Sequence, residues 1–437
     1  MKSNSNSLVK NVASLSLVQI ASYVFPLLTV PYISRIIGPE GYGIINYASA
    51  FIGYFALFIA YGFDLTATRK VALHANDPKA ISRIFSEVIT ARTLLLFFSI
   101  ILFAICLLLL KPLQDNYFIS IVLFVGCISS VISTQFIYQG LQKLVIFSKI
   151  NFIRGTANVV LIFALIKQDE DYYWLPVLSS GFVVTINVFL VWWAKRKFNL
   201  RFSFIKPKEA LSILLDERMV FFSTVMITLY TSTNTVILGF FVSKTEVGYY
   251  TTSQAFLGIV ISVLTIPFAT AFFPYVGQSF GVSRENGLEM IKKIFPIVSY
   301  LTLAASLIVF ICAPFVITII YGHKFDPAIP ALRITAFLPF IISMSNILGI
   351  QTMLNLKMDK LFFKTTFVAS VFGVILNLFM SMHWGYIGTA WNCIIIESFV
   401  TVIMYFTLRK NQVDIVTWKY FSPGYMKFVI IHMILKK

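Results

Sequence analysis

Few side chains in this sequence combine a charge or a strong hydrogen-bonding group with a place inside an apolar run. Those few set the chemistry open to it. Glu397 falls near the centre of the apolar stretch 384–408. A carboxyl group at that depth is costly to insert and resists ionisation. Two readings follow: a proton or cation site, or a carboxylic acid hydrogen-bonded between helices. Arg35, Arg92, Arg154 and Arg333 lie at or inside the ends of apolar stretches, and Arg69 follows the second stretch. A guanidinium stays charged when partly desolvated and grips phosphate oxygens in a fork. These arginines could line a cationic cavity for a phosphate-bearing head group, or they could snorkel to lipid phosphates. Gln19, Ser22, Tyr23 and Pro26 recur at i, i+3, i+4 and i+7 and so share one helix face. A polar face on a spanning helix belongs against other helices or a water-filled path. Asn234 sits beside a second such face, Thr224, Thr228 and Thr231. Gln19, Tyr23 and Asn234 therefore join the arginines as candidate ligands for a polar substrate.

Other chemistries find no footing. His74, His323, His383 and His432 sit in loops or at the ends of apolar stretches, without zinc spacing. Cys106, Cys127, Cys312 and Cys393 all lie inside apolar runs, where a thiol is a small hydrophobe and neither a metal ligand nor half of a disulfide. No glycine-rich loop suits a nucleotide phosphate, and no loop is long enough to hold a catalytic domain. No cofactor, no metal and no enzymatic activity are expected.

The elements that position these residues are membrane spans. Hydrophobic residues make up 58% of the chain and charged ones 12%, against roughly a quarter charged in a soluble domain. The fold expected is an all-α integral membrane protein with about twelve transmembrane helices. The spans are read at 11–34, 41–63, 88–110, 117–139, 147–166, 172–194, 219–243, 247–275, 295–320, 329–355, 362–382 and 384–408. The net charge of +17 points to topology and not to nucleic acid. All but six of the 35 Lys and Arg fall on one side of these spans, the exceptions being Arg35, Lys111, Lys167, Lys244, Lys324 and Arg333. By the positive-inside rule that side is cytoplasmic, and an even count puts both termini there. The first apolar run has no cleavage-site pattern after it and is expected to stay as a span. Short connections are expected at Ile36–Glu40 and around residue 383, and a proline bend at Pro26 and Pro31.

The basic stretch 195–218 lies at the midpoint of the chain. It divides an N-terminal six-helix bundle, 1–194, from a C-terminal one, 219–408, with a central cavity between them. A cytoplasmic tail, 409–437, carries an interfacial segment at Tyr425–Leu435. The halves read as weak repeats, since Gly43, Ala50, Phe51 and Gly53 align with Gly248, Ala255, Phe256 and Gly258 at an offset of 205 residues.

The amino-terminal stretch also resembles a known family. Asn11, Gln19, Tyr23, Pro26-Leu27-Leu28-Thr29, Pro31-Tyr32, Arg35, Gly38, Tyr42-Gly43, Ala60-Tyr61-Gly62-Phe63 and Ala67-Thr68-Arg69 look like the signature of bacterial polysaccharide-repeat flippases. These are the O-antigen and capsule translocases of the multidrug/oligosaccharidyl-lipid/polysaccharide exporter superfamily. The resemblance implies an inner-membrane flippase for an undecaprenyl-pyrophosphate-linked oligosaccharide repeat. It would move that lipid from the cytoplasmic to the periplasmic leaflet by alternating access, driven by an ion gradient. Partners would include membrane lipids, a polysaccharide polymerase and other assembly proteins. Two alternatives stand beside it. A multidrug or cation antiporter of the same superfamily would want acids in its cavity, and a membrane glycosyltransferase or polymerase would want catalytic groups on a large loop.

Overall fold

The computed structural model describes the backbone of residues 2–422 and the side chains of 25–26, 28–222, 224–225, 228, 233–264 and 276–422. Gln19, Ser22, Tyr23, Thr231 and the interfacial segment expected at Tyr425–Leu435 lie outside the described side chains. Among the described residues every regular element is helical. Nine helices there are long and apolar enough to cross a membrane, so the chain is a multi-pass membrane protein.

Two of the long helices turn on a single glycine. Lys2–Ala60 leaves helical geometry at Gly38 (φ 66°, ψ −178°), and Asp359–Lys410 does so at Gly385 (φ 56°, ψ −140°). A Cβ makes these dihedrals costly, and glycine does not have one. Gly38 falls inside the expected connection Ile36–Glu40, and Gly385 lies two residues beyond the expected break, within the stretch read as 384–408. The bend expected at Pro26 and Pro31 is not where this helix breaks; both prolines sit inside it, and the break lies just before Pro39. A proline removes one backbone hydrogen bond, whereas a positive φ redirects the chain. At Gly385 the redirection is a full reversal. Ser381 Oγ lies 2.8 Å from Thr389 Oγ1, and the rings of Phe372 and Phe399 are 5.2 Å apart, so the two arms run antiparallel.

Cα packing separates two compact units. One comprises Met1–Thr228 with Ile320–Gly322, the other Leu229–Ile319 with His323–Lys437. In the first, Phe63, Val71, Phe85, Leu95, Phe136 and Tyr138 form part of one buried core. The connection expected at 64–87 is largely helical. Phe63–Leu73 is one helix, and the next starts at Pro78, where Asp77 Oδ1 accepts the Lys79 and Ala80 amides. That pairing of an Asp cap with proline at the first helical position is a strong start signal, and it extends the third span ten residues before the expected start. The basic stretch 195–218 is likewise helical through Lys197 and again from Pro207. The fourth apolar stretch, expected as one helix, is three pieces, Tyr117–Gly126, Ile128–Ile132 and Gln135–Gly140. In the second unit, the stretch expected at 329–355 is Ala328–Thr335, Leu338–Asn346 and a π-helical turn, Ile347–Met353.

Candidate functional site

The first unit holds a cavity of about 600 Å³. Four elements build its wall: the Leu144–Leu165 helix, the Trp174–Lys197 helix, the broken fourth stretch and the Lys2–Ala60 helix, which contributes Phe25, Pro26 and Thr29. On the first of these, Asn151, Arg154 and Asn158 stand at i, i+3 and i+7 and share one face, and all three line the cavity. Ser179 and Asn187 come from the facing helix, Ser133 and Gln135 from the break. Phe25 and Phe152, their rings 5.6 Å apart, supply apolar lining, with Phe25 pressed on Gly155. The amides of Asn151 and Asn187 each donate to the carbonyl four residues earlier, Phe147 (2.9 Å) and Val183 (3.0 Å), which fixes both side chains along their helices. Asn158 Oδ1 is buried without a hydrogen-bond partner.

Arg154 is half-buried in this wall. Among the described residues it forms no ion pair, and no carboxylate lines the cavity. A guanidinium held in a partly desolvated wall without a counter-charge attracts an anion from outside the protein. The surrounding amides and hydroxyls offer the donors and acceptors that a sugar needs.

The second unit holds a smaller cavity, about 160 Å³, of opposite character. Glu397, Asn234, Gln254, Asn392 and Cys393 line it. Asn392 Nδ2 donates to Asn234 Oδ1 (3.1 Å), and Asn234 Nδ2 donates to Cys393 Sγ (3.1 Å). The Tyr250 hydroxyl lies 3.2 Å from the same sulfur. Asn392 Oδ1 and Gln254 Nε2 are buried without partners. One carboxylate and several amide oxygens around a space of this size form an environment that suits a proton or a small cation.

The residues singled out in the sequence thus divide. Arg154 lines the first cavity, while Asn234 and Glu397 meet in the second. Arg92 lines neither; it is buried beside Asp64, with Nη2 2.9 Å from Oδ1. Arg35, Arg69 and Arg333 are exposed and line neither cavity, and Arg333 lies over the Phe310 ring at 5.6 Å. Sequence reasoning missed Asn151, Asn158 and Asn187, although the spacing of the first two from Arg154 carries the signal. It also missed Asp64, whose partner is 28 positions away.

Residues 8–280 match the family model described as polysaccharide biosynthesis protein. A protein of Escherichia coli (strain K12) described as "Putative O-antigen transporter" is 30% identical over 94% of this chain and 99% of its own length. A protein of Shigella dysenteriae with the same description is 25% identical over 92% and 99%. Among solved structures, the lipid II flippase MurJ in an inward closed conformation superposes with a TM-score of 0.68 at 14% identity, over 96% of this chain and 92% of that one. An inward-facing multidrug resistance MATE family transporter of the MOP superfamily gives 0.64 at 15%, over 92% and 98%. The fold is that of the MATE and MurJ transporters, and by the extent of its match the chain belongs to the polysaccharide biosynthesis protein family.

Proposed function

We propose that this protein flips a lipid-linked oligosaccharide across a bacterial inner membrane, and that the first cavity receives the head group. The observation that carries the reading is Arg154, a half-buried guanidinium set among amides, with neither an ion pair nor a carboxylate beside it in the wall among the described residues. The cargo is an undecaprenyl-pyrophosphate-linked repeat, whose pyrophosphate meets Arg154 and whose first sugars meet Asn151, Asn158 and Asn187. The polyprenyl tail stays in lipid. An antiporter for organic cations would want acids in this cavity, and the described lining residues include none, which is why the flippase reading is preferred. The names of the Escherichia coli and Shigella relatives, which speak of O-antigen transport, support the same cargo class.

Twelve crossings are the count we favour. The nine spanning helices become eleven when Leu28–Leu73 and Asp359–Lys410 are each split at their glycine, and Pro207–Leu238 makes the twelfth. Both termini are then cytoplasmic, and the two halves, 1–194 and 219–408, alternate access by rocking. Glu397 is the coupling group, in a cavity that suits a proton or small cation. Arg35, Arg69 and Arg333, outside the cavity lining, are assigned to guiding phosphate at the span ends.

The test is flipping in proteoliposomes. With undecaprenyl-pyrophosphate-linked oligosaccharide as cargo, Arg154→Ala is expected to lower transport tenfold or more and Arg154→Lys to restore part of it. A charge-assisted hydrogen bond contributes about 1.5–3 kcal/mol, which corresponds to that range. Wild-type transport by Arg154→Ala would remove the first cavity from the mechanism.

A further inference from the structure

Arg92 is charged, fully enclosed and unused by the mechanism above. Its side chain is 0% exposed, between the rings of Phe63 (5.9 Å) and Phe136 (5.8 Å). It spends its fork on two unlike partners. Nη2 donates to Asp64 Oδ1 at 2.9 Å, and Nη1 donates to the main-chain carbonyl of Ser133 at 3.1 Å. Ser133 is where the fourth apolar stretch leaves helical geometry (φ −62°, ψ 123°), between Ile128–Ile132 and Gln135–Gly140. A break inside a span releases carbonyls from the helical ladder, and away from water the protein itself must satisfy them. No proline or glycine lies at this break. The two residues on either side of Thr134, Ser133 and Gln135, line the first cavity.

We propose that Arg92 is a positioning residue: anchored by Asp64, its guanidinium braces the break at Ser133 and so sets the wall that Ser133 and Gln135 present to an anionic head group. This rests on the first cavity being the substrate site, and it moves Arg92 from ligand to brace. A fork is required. Lysine is a point charge, able to hold Asp64 or to reach Ser133 but not to do both in this geometry. Leaving Asp64 paired while freeing the carbonyl separates the brace from the ion pair.

The experiment uses the full chain with Cys106, Cys127, Cys312 and Cys393 replaced by serine and with Gln135→Cys as a reporter in the wall. Modification by a small methanethiosulfonate is followed with and without undecaprenyl pyrophosphate as the protecting probe. Arg92→Lys is expected to remain folded, to change the ligand-free modification rate at least fivefold and to raise the concentration for half protection at least tenfold. Arg92→Met with Asp64→Leu removes the buried guanidinium together with its half-exposed partner, so that no charge is left unpaired, and is expected to give the same two shifts. A ligand-free rate and a half-protection concentration within twofold of the parent in Arg92→Lys would overturn the brace. Loss of folding in both variants would overturn it too, by making Arg92 a determinant of the whole bundle. Failure of the cavity reading looks different: Arg154→Ala would then leave protection unchanged, while the ligand-free rate still responds to Arg92.

Discussion

Gly155 tests the first cavity from the inside. A Cβ placed there would sit 2.2 Å from Phe25 Cε2 and 2.4 Å from Cδ2. Carbon atoms in good contact keep about 3.5–4.0 Å apart, so Gly155→Ala must push the ring by roughly 1.5 Å. The ring lines the cavity beside Phe152, 5.6 Å away centroid to centroid, so any yielding takes space from that cavity. Overpacking of this kind costs about 1–3 kcal/mol, or a factor of roughly 5 to 150 in an equilibrium. Phe25→Leu removes the ring edge that the methyl meets. The expected result is a coupling of about 1–3 kcal/mol between the two positions. Gly155→Ala alone lowers affinity for the lipid-linked cargo, and Gly155→Ala in the Phe25→Leu background changes little relative to Phe25→Leu. Affinity is read by protection or tryptophan quenching in detergent, with transport as the second readout. An equal cost of Gly155→Ala in both backgrounds would refute the reasoning, because the ring would not be what the methyl meets.

Three further outcomes are expected. Glu397→Gln keeps the shape of the second cavity but cannot titrate; transport in vesicles should lose its response to an imposed proton gradient while cargo binding persists, and an unchanged response removes Glu397 from coupling. Gly385→Ala adds a side chain at φ 56° and should lower the melting midpoint, at a cost of about 1–3 kcal/mol; Ala at the helical glycine Gly258, where a Cβ meets nothing within 4 Å, should not. Asp326, in a connection between spans, has its carboxyl held below the usual aspartate range by hydrogen bonds from His323 and Thr318. A lowered pKa contributes stability above the ordinary carboxylate range and loses it as pH falls through the folded value. The melting difference between the parent and Asp326→Asn should therefore be present at neutral pH and shrink as acidification passes below about pH 4.

How much of this could be read from the residues follows the range of the interactions. The turn at Gly38 was legible, and the one at Gly385 to within two residues, because each lies between two apolar runs too long to be a single span. Asp77–Pro78 was equally local, and a helix start there was readable although the third span was placed later. The cavity wall was half legible: Arg154 was a candidate, but its companions Asn151 and Asn158 are visible only when the helix face is drawn around it. The burial of Arg92 was not legible. Position at a span end marked it as a ligand, and only tertiary structure shows Asp64 and the Ser133 carbonyl each taking one of its terminal nitrogens. The break at Ser133 is hidden for the same reason, since its compensation comes from a residue 41 positions earlier.

The reversal at Gly385 has a kinematic consequence. With one residue in the bend there is little slack between the arms, and the pairs Ser381–Thr389 and Phe372–Phe399 are in step from the bend out to Phe372 and Phe399. Gly373 lies in the same step, its missing Cβ 3.3 Å from Ile396. Neither arm can slide past the other by a helical turn without breaking all of these together. Glu397, next to Ile396, is thereby pinned in depth against the opposite arm. Any excursion it makes during a transport cycle must be a rotation or a tilt of the whole couplet, not a piston stroke of its own helix.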